Sequence, residues 1–491
     1  MRPAAYAPTY CPMRHEPQAN AYAPDPQILR LAPWLGDPVA PADFPKGLLR
    51  WRNDRWARDV GLADFDDAGW VVHFGRFAPL DGNLPQPLAL RYHGHQFGVY
   101  NPELGDGRGF LFAQMRDGAG RLIDLGTKGS GQTPWSRQGD GRLTLKGAVR
   151  EILATEMLEA LGANTSKTFS VIETGEALWR GDEPSPTRSA VLVRMSHGHI
   201  RIGTFQRLLV LEEAEHMAEL VNYALAQFPG PPPPPDAPGR DQPAIILLHQ
   251  VVERLADMAA SYVAAGFVHG VLNTDNMNIS GESFDYGPWR WLPRWDADFT
   301  AAYFDHAGRY RFGKQAEAIK WNCGQMAVSL RLLVTDTAPL IAALDRFDGL
   351  YQAALARRVL WRLGLKPLGD EPDGALLAAA GAHMREEQMS PDVFFHLFRG
   401  APDEVMSLLR EGSPLRAALA SYGPVEDVRA HPAWQAPAPD NHIETVESLW
   451  LAIDRDDDWG PLHRHIAAIR ALGDALGEPP IPAGHDFSSD T

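Results

Sequence analysis

The sequence predicts an α+β fold of two lobes, β-rich on the N-terminal side and helical on the C-terminal side, with an extension at each end. Three features of the chain carry that expectation. Alternating apolar residues punctuated by glycine turns fall mainly between 108 and 193, and apolar residues at helical spacing fill most of 205–422. A polar loop bearing Asn and Asp then begins at His269, directly after a strong helical run.

Taken in order, residues 1–26 are rich in Pro, Ala and Tyr and read as a flexible tail. Residues 27–90 carry Trp34, Trp51, Trp56, Trp70 and Phe74, enough large apolar surface to pack an N-terminal extension on the core. The first lobe is expected over 91–205. Gly109-Phe-Leu-Phe-Ala-Gln-Met115 and Arg121-Leu-Ile-Asp-Leu-Gly-Thr-Lys128 alternate around the turn Asp117-Gly-Ala-Gly120, which is a β-hairpin signal. A helix is predicted over 147–161, where Ala148, Ile152, Met157 and Leu161 fall on or near one face and Gly162 closes the run. Short strands follow over 169–193. The second lobe is expected over 206–425. It comprises a helix over 205–228, an extended Pro-rich insertion at 229–243, and a helix over 244–265 that feeds into His269. Further helices run from 312 to about Tyr422. The C-terminal extension, 426–491, holds a helix over 449–476 broken near Gly460-Pro461.

Composition removes several functional classes. The net charge of −16 argues against nucleic-acid binding, which needs a basic face to displace counterions. Two cysteines, Cys11 and Cys323, exclude a disulfide framework and a multi-thiolate metal site. No run approaches the roughly 20 apolar residues that span a bilayer. The N-terminus lacks the charged and apolar blocks of an export signal, so a cytoplasmic enzyme without a membrane partner is expected.

The chemistry concentrates in a few segments. Asn276 lies seven residues after His269, as in the H-R-D-x-x-x-x-N loop of protein kinases, and Asp285-Tyr-Gly287 follows as a metal-binding Asp-x-Gly would. The usual catalytic Asp position, two after the His, is Val271, which accepts no proton. A carboxylate reappears at Asp275, the remaining candidate base. Lys128 near a strand end and Glu151 on the next helix match the way kinase-type sites place an ammonium against phosphate oxygens. The element order and these residues together predict a two-lobed protein-kinase-like fold with a nucleotide between the lobes. Gly105-Asp-Gly-Arg108 and Gly139-Asp-Gly-Arg142 flank the Lys strand, and their glycines would let backbone N–H groups approach phosphate. Arg194 and Arg201 could grip distal phosphates. Asn276 and Asp285 offer the hard oxygens that Mg²⁺ takes, with Mn²⁺ as the alternative ion.

Other patterns are set aside. The pairs His93-Gly-His95 and His197-Gly-His199 come without a Cys pair or H-E-x-x-H spacing, so they read as hydrogen-bonding residues that orient backbone or substrate rather than as zinc ligands. Asp296-Ala-Asp298-Phe lacks the glycine of the metal motif, and Gly162-Ala-Asn-Thr-Ser-Lys167-Thr lacks the second glycine of a Walker A loop. The residues alone leave open a transfer other than that of the γ-phosphoryl group, a Mg-dependent kinase with Asp275 as a displaced base, and an inactive ATP-binding pseudokinase scaffold.

Five segments then carry a family resemblance from about Tyr92 to beyond Gln325: His93-Gly-His-Gln-Phe-Gly98, Leu104-Gly-Asp-Gly-Arg108, Lys128-Gly-Ser-Gly-Gln-Thr-Pro-Trp-Ser-Arg137, Gly139-Asp-Gly-Arg142, and His269-Gly-Val-Leu-Asn-Thr-Asp-Asn-Met277 with Asp285-Tyr-Gly-Pro288. With them the chain resembles the selenoprotein O family of kinase-like protein adenylyltransferases. The resemblance implies AMP transfer from ATP, bound in a flipped orientation, to Ser, Thr or Tyr hydroxyls of protein substrates, with release of diphosphate. By position it implies Asp275 as catalytic base and Asn276 and Asp285 as Mg²⁺ ligands. Lys128, supported by Glu151, would bind phosphate. Gly105, Gly107, Arg108, Asp140, Gly141, Arg194, Arg201 and Asp285 would line the ATP site. The chain departs from the family at Gly198, where a Ser is usual, in its Pro-rich insertion, and at its end, Phe487-Ser-Ser-Asp-Thr491, which lacks the Cys or selenocysteine common there.

Overall fold

The computed structural model of the chain describes residues 20–181 and 183–480. Most of the expected tail, 1–19, and the end, 481–491, lie outside the described residues. Residues 20–26, assigned by composition to the same tail, pack instead on the first lobe. The Arg116 amide donates to the Ala23 carbonyl at 2.9 Å, the Asp25 amide to the Gln114 carbonyl at 3.1 Å, and the Asp25 carboxylate pairs with Arg116 at 2.7 Å. Prolines remove donors, so the segment pairs through the residues between them.

From there α1 (Ala32–Leu35) leads into β1 (Gly36–Pro38), and β2 (Leu48–Arg52) precedes α2 (Asp54–Asp59) and α3 (Asp67–Phe74). Asp66 caps α3 by accepting from the Gly69 amide at 2.7 Å. Next come β3 (Leu88–Leu90), the small hairpin β4 (Gly94–Gln96) and β5 (Val99–Asn101), and the larger hairpin β6 (Leu111–Arg116) and β7 (Leu122–Lys128). β8 (Leu143–Thr144) turns directly into α4 (Leu145–Ala160), whose start is fixed by the Thr144 hydroxyl accepting from the Gly147 amide at 3.1 Å. β9 (Lys167–Leu178) and β10 (Thr187–Ser196) complete an antiparallel eight-stranded sheet of order β1-β3-β6-β7-β10-β9-β2, with β8 against β10. The 27–90 segment therefore does more than pack on the core: it supplies β1, β2 and β3 to the sheet. One sheet face is closed by an aromatic cluster that includes Trp70, Phe74, Phe112 and Phe169, and the other packs on α4.

The second lobe is helical. The helix expected over 205–228 is two, α5 (Ile202–Val210) and α6 (Ala214–Gln227), interrupted where Glu212 adopts a left-handed φ of 58°. The Pro-rich stretch begins anchored rather than solvated: Arg254 donates to the carbonyls of Phe228 and Pro229, and Gln250 to those of Gly230 and Pro231. α7 (Pro243–Ala265) runs through the lobe centre and hands over to β11 (Phe267–Val268), which pairs with β12 (Arg290–Trp291) around the polar loop. Then follow α8 (Gln315–Leu330), α9 (Ala338–Asp345), α10 (Phe347–Leu363), α11 (Asp370–Glu386), α12 (Pro391–Phe398), α13 (Asp403–Leu408) and α14 (Pro414–Leu419).

The final helices, α15 (Ile443–Asp456) and α16 (Gly460–Leu476), return to the first lobe and lie behind α4, broken at Gly460-Pro461 as expected. Arg470 on α16 grips both oxygens of Glu156 on α4 at 2.7 Å, Lys146 pairs with Glu447 at 2.7 Å, and Asn441 donates to the Leu153 carbonyl at 2.8 Å.

Candidate active site

The polar loop after β11 is held from three sides. His269 is buried; burial pulls its imidazole below the usual value, and the neutral ring bonds the Phe284 carbonyl at 3.1 Å. Gln315 and Asn322 on α8 bond the His269 amide and the Leu272 carbonyl. On the other side the loop is stitched to the start of α5 and to the first lobe just before β9. The amides of Ile202 and Ser166 donate to the carbonyls of Met277 and Ser283, both at 2.9 Å. These backbone pairings make the loop a fixed seam between the lobes.

A pocket of about 420 Å³ opens beside this seam. Its lining includes Gly105, Gly107, Arg108, Lys128, Asp140, Gly141, Arg194, Arg201 and Asp285, so nine residues picked out from separate motifs converge on one cavity. Lys128, at the end of β7, places its ammonium 2.6 Å from Glu151 on α4 and 3.2 Å from Asp285. Arg194, on β10, lies 3.4 Å from the same Asp285 oxygen. Burial alone would raise the Asp285 carboxyl, but Lys128, Arg194, Arg201 and Arg108 together hold it well below the usual carboxylate range. Its side chain keeps 27% exposure, so the ionised group faces the pocket.

Arg201 caps α5 and is buried. Its guanidinium donates to the Tyr92 hydroxyl at 3.0 Å, to Asp106 at 3.1 Å and to the Asp275 carbonyl at 3.2 Å. Asp275 and Asn276 do not line the pocket themselves; the Asp275 carbonyl is joined to it through Arg201. Asp275 is 8% exposed, and burial pushes its carboxyl up to about 6 against the pull of Arg201. Its Oδ1 has no hydrogen-bond partner, an uncompensated acceptor beside a cavity. Asn276 donates its amide nitrogen to the Val271 carbonyl at 3.0 Å, which reserves its oxygen as an acceptor. Among the described residues no group of three or more His, Cys, Asp or Glu side chains is set up to hold a metal ion, so an ion here would draw further ligands from its substrate.

The histidine pairs act as hydrogen-bonding residues. His93 bonds Tyr100, His95 bonds Gln206, and His197 bonds the Gln227 carbonyl. His199 goes further. Burial lowers its pKa, and a neutral ring with its proton on Nδ1 donates to Asp124 at 3.1 Å while Nε2 accepts from Arg194 at 3.2 Å. Asp124 and His199 thereby aim Arg194. Gly126 makes room for this, since a Cβ there would lie 2.3 Å from His199 Nε2.

The glycines of Gly105-Asp-Gly-Arg108 serve a different closeness from the one expected. A Cβ on Gly105 would lie 2.3 Å from the Trp135 ring, and one on Gly107 2.8 Å from the Trp135 carbonyl. They let the 133–137 turn fold onto the pocket wall. Sequence reasoning missed Tyr92, Asp106 and Arg180, and it named His199 without its link to Arg194; Arg180 pairs with Asp140 at 2.9 Å across the pocket mouth. Asp106 was legible as the acid inside a Gly-Asp-Gly-Arg segment, whereas the others depend on long-range pairing.

Residues 20–407 match the family described as protein adenylyltransferase SelO. The chain belongs to this family. A protein nucleotidyltransferase YdiU from Synechocystis sp. is 43% identical over 475 residues, covering 91% of this chain and 98% of that one. The protein of the same name from Gloeobacter violaceus is 43% identical over 91% of this chain and 94% of its own, and that from Synechococcus elongatus is 49% identical over 70% and 68%.

Proposed function

We propose that this chain transfers AMP from ATP to a Ser, Thr or Tyr hydroxyl of a protein acceptor and releases diphosphate. The observation that carries the reading is a buried carboxylate with an unpartnered oxygen, Asp275, beside a pocket whose buried wall is cationic, while Val271 stands where a kinase keeps its base. Lys128, Arg108, Arg194 and Arg201 supply fixed positive charge for the phosphates. Because Arg194 and Arg201 are 5% and 2% exposed, the buried end of the pocket suits phosphates better than a base. Asp140 and Gly141 flank the outer wall of the pocket.

The acceptor oxygen attacks the α-phosphorus as its proton passes to Asp275. The bond from that phosphorus to the oxygen bridging to the β-phosphorus breaks, and diphosphate leaves with the electron pair. Glu151 holds Lys128 in place. A divalent cation, Mg²⁺ or Mn²⁺, fits the hard oxygens of Asp285 and Asn276 and would supply charge neutralisation on the phosphates when bound. No described helix is long and apolar enough to cross a membrane, and we keep the cytoplasm as the proposed compartment.

ATP labelled separately at the α- and γ-phosphates, incubated with Mg²⁺ and mixed protein acceptors, tests the reading. Protein retains the α label if it is right. Retention of the γ label instead makes the chain a kinase, and retention of neither, with ATP still bound, makes it a scaffold.

A further inference from the structure

Beside Asp275, on the hairpin of β4 and β5, a phenylalanine sits where the backbone disfavours it. Phe97 and Gly98 form the two-residue turn, with Phe97 at a left-handed φ of 50° and Gly98 at 84°. Asn, Asp or Gly is the usual occupant of the Phe97 position, and a bulky side chain there is strained. Strain of this kind persists where surrounding contacts over-determine it and clusters at functional sites. The Phe97 ring packs 4.9 Å from Tyr310 and 5.7 Å from Phe304, and its amide donates to Asn273 at 3.1 Å.

These contacts assemble a ledge. Tyr303 packs on Phe304 at 5.1 Å, and Trp321 on α8 meets His95 of the same hairpin at 5.3 Å. Tyr303 is 78% exposed, Val99 71%, Phe304 43% and Trp321 37%, an unusual concentration of large apolar side chains facing water. The ledge is tied to the residues just before Asp275. Asn273 accepts from the Tyr310 hydroxyl at 2.8 Å, and Thr274 accepts from the His95 amide at 2.7 Å. None of the ledge residues lines the nucleotide pocket, so ATP would leave the ledge uncovered.

We infer that this ledge docks the acceptor polypeptide, selecting a segment with an aromatic or large aliphatic side chain next to the hydroxyl that receives AMP. The inference rests on the adenylyl-transfer reading of the adjoining site. That reaction requires the acceptor to deliver its hydroxyl to Asp275, and the apolar surface continuous with Asn273 and Thr274 is what the rest of the segment meets. Tyr303 and Phe304 offer exposed rings that bury an apolar side chain, while the Trp321 ring beside them carries the Arg309 guanidinium at 5.2 Å.

The test separates docking from transfer. Fluorescently labelled peptides with one central Tyr or Ser, flanked by Phe and Leu, by Gly, or by Glu, are titrated with the full chain and ATP, and binding is read by anisotropy. The same peptides are assayed for α-label uptake. The Phe/Leu-flanked peptides should bind at least about tenfold tighter than the others, and the Tyr303→Ser/Phe304→Ser and Val99→Asp variants should lose that preference. Leu408→Ser, an equally exposed position on α13, should keep it. Equal binding of all peptides, no binding, or a preference that survives in both ledge variants overturns the inference. Selective binding without α-label uptake overturns the transfer reading and leaves docking standing.

Discussion

Replacing Lys128 with Met separates what this residue does for the fold from what it does for the site. Lys128 is 4% exposed and Glu151 1%, with the ammonium 2.6 Å from Glu151 Oε2, and Glu151 Oε1 has no other partner. Removing the ammonium strands a buried carboxylate, which costs about 3–5 kcal/mol. Met has similar volume, so cavity formation adds little. Asp285 loses one partner too but keeps Arg194 and is partly exposed. Out of a total stability of roughly 5–15 kcal/mol the loss is large. The double variant Lys128→Met/Glu151→Leu, with an apolar pair in place of the ionic one, should regain most of it. Urea unfolding without ATP reads the stability, and α-label transfer reads the activity. The expected pattern is an unstable, inactive single variant and a stable, inactive double variant. A single variant within about 1 kcal/mol of the parent, or a double variant no better than the single, refutes the reasoning, because the pair would then not be buried as described.

Four further outcomes are expected. Asp275→Asn should lower turnover by about 10²–10⁴ while ATP binding stays within about twofold, since the residue lies outside the pocket lining; comparable loss of ATP affinity by calorimetry would contradict its role as base. Arg201→Lys cannot reproduce the fork to Tyr92, Asp106 and the Asp275 carbonyl, and each charged bond lost is worth about 1.5–3 kcal/mol, so kcat/KM for ATP should fall at least tenfold. Glu282, buried beside Lys167 and Arg121, has its carboxyl pushed by burial from 4.5 up to about 7. The folded state therefore holds a proton that the unfolded chain releases, and stability falls as pH rises through that window. Glu282→Gln should flatten the slope and be the more stable form above pH 7, by up to about 3 kcal/mol; parallel stability curves would remove the explanation. Removing divalent cations with a chelator should stop α-label transfer, and Mg²⁺ or Mn²⁺ should restore it.

The order of elements and the pocket residues could be read from the chain because each rests on a local signal. The β6–β7 hairpin announces itself through Asp117-Gly-Ala-Gly120, and the seven-residue offset from His269 to Asn276 is a spacing rather than a contact. What escaped was non-local. The break at Glu212 has no Gly or Pro to mark it, since Val210-Leu-Glu-Glu-Ala214 continues a helical pattern. Leu48-Leu-Arg-Trp-Arg52 becomes a strand because β9 lies beside it, and residues 20–26 are ordered because β6 offers them Gln114 and Arg116. Asp124 and His199 lie on different segments, 75 residues apart, and nothing in either segment names the other as the pair that orients Arg194.

The helices that lie behind α4 bear on control. In protein kinases the helix that carries the glutamate must hold it against its lysine, and its position sets activity. Here Arg470, Asn441 and Glu447 bolt that helix from the rear at Glu156, Leu153 and Lys146. A displacement large enough to part Glu151 from Lys128 would have to tear out the bolts as well. These rear contacts therefore weigh against such an off position in this chain, unless α15 and α16 travel with the helix.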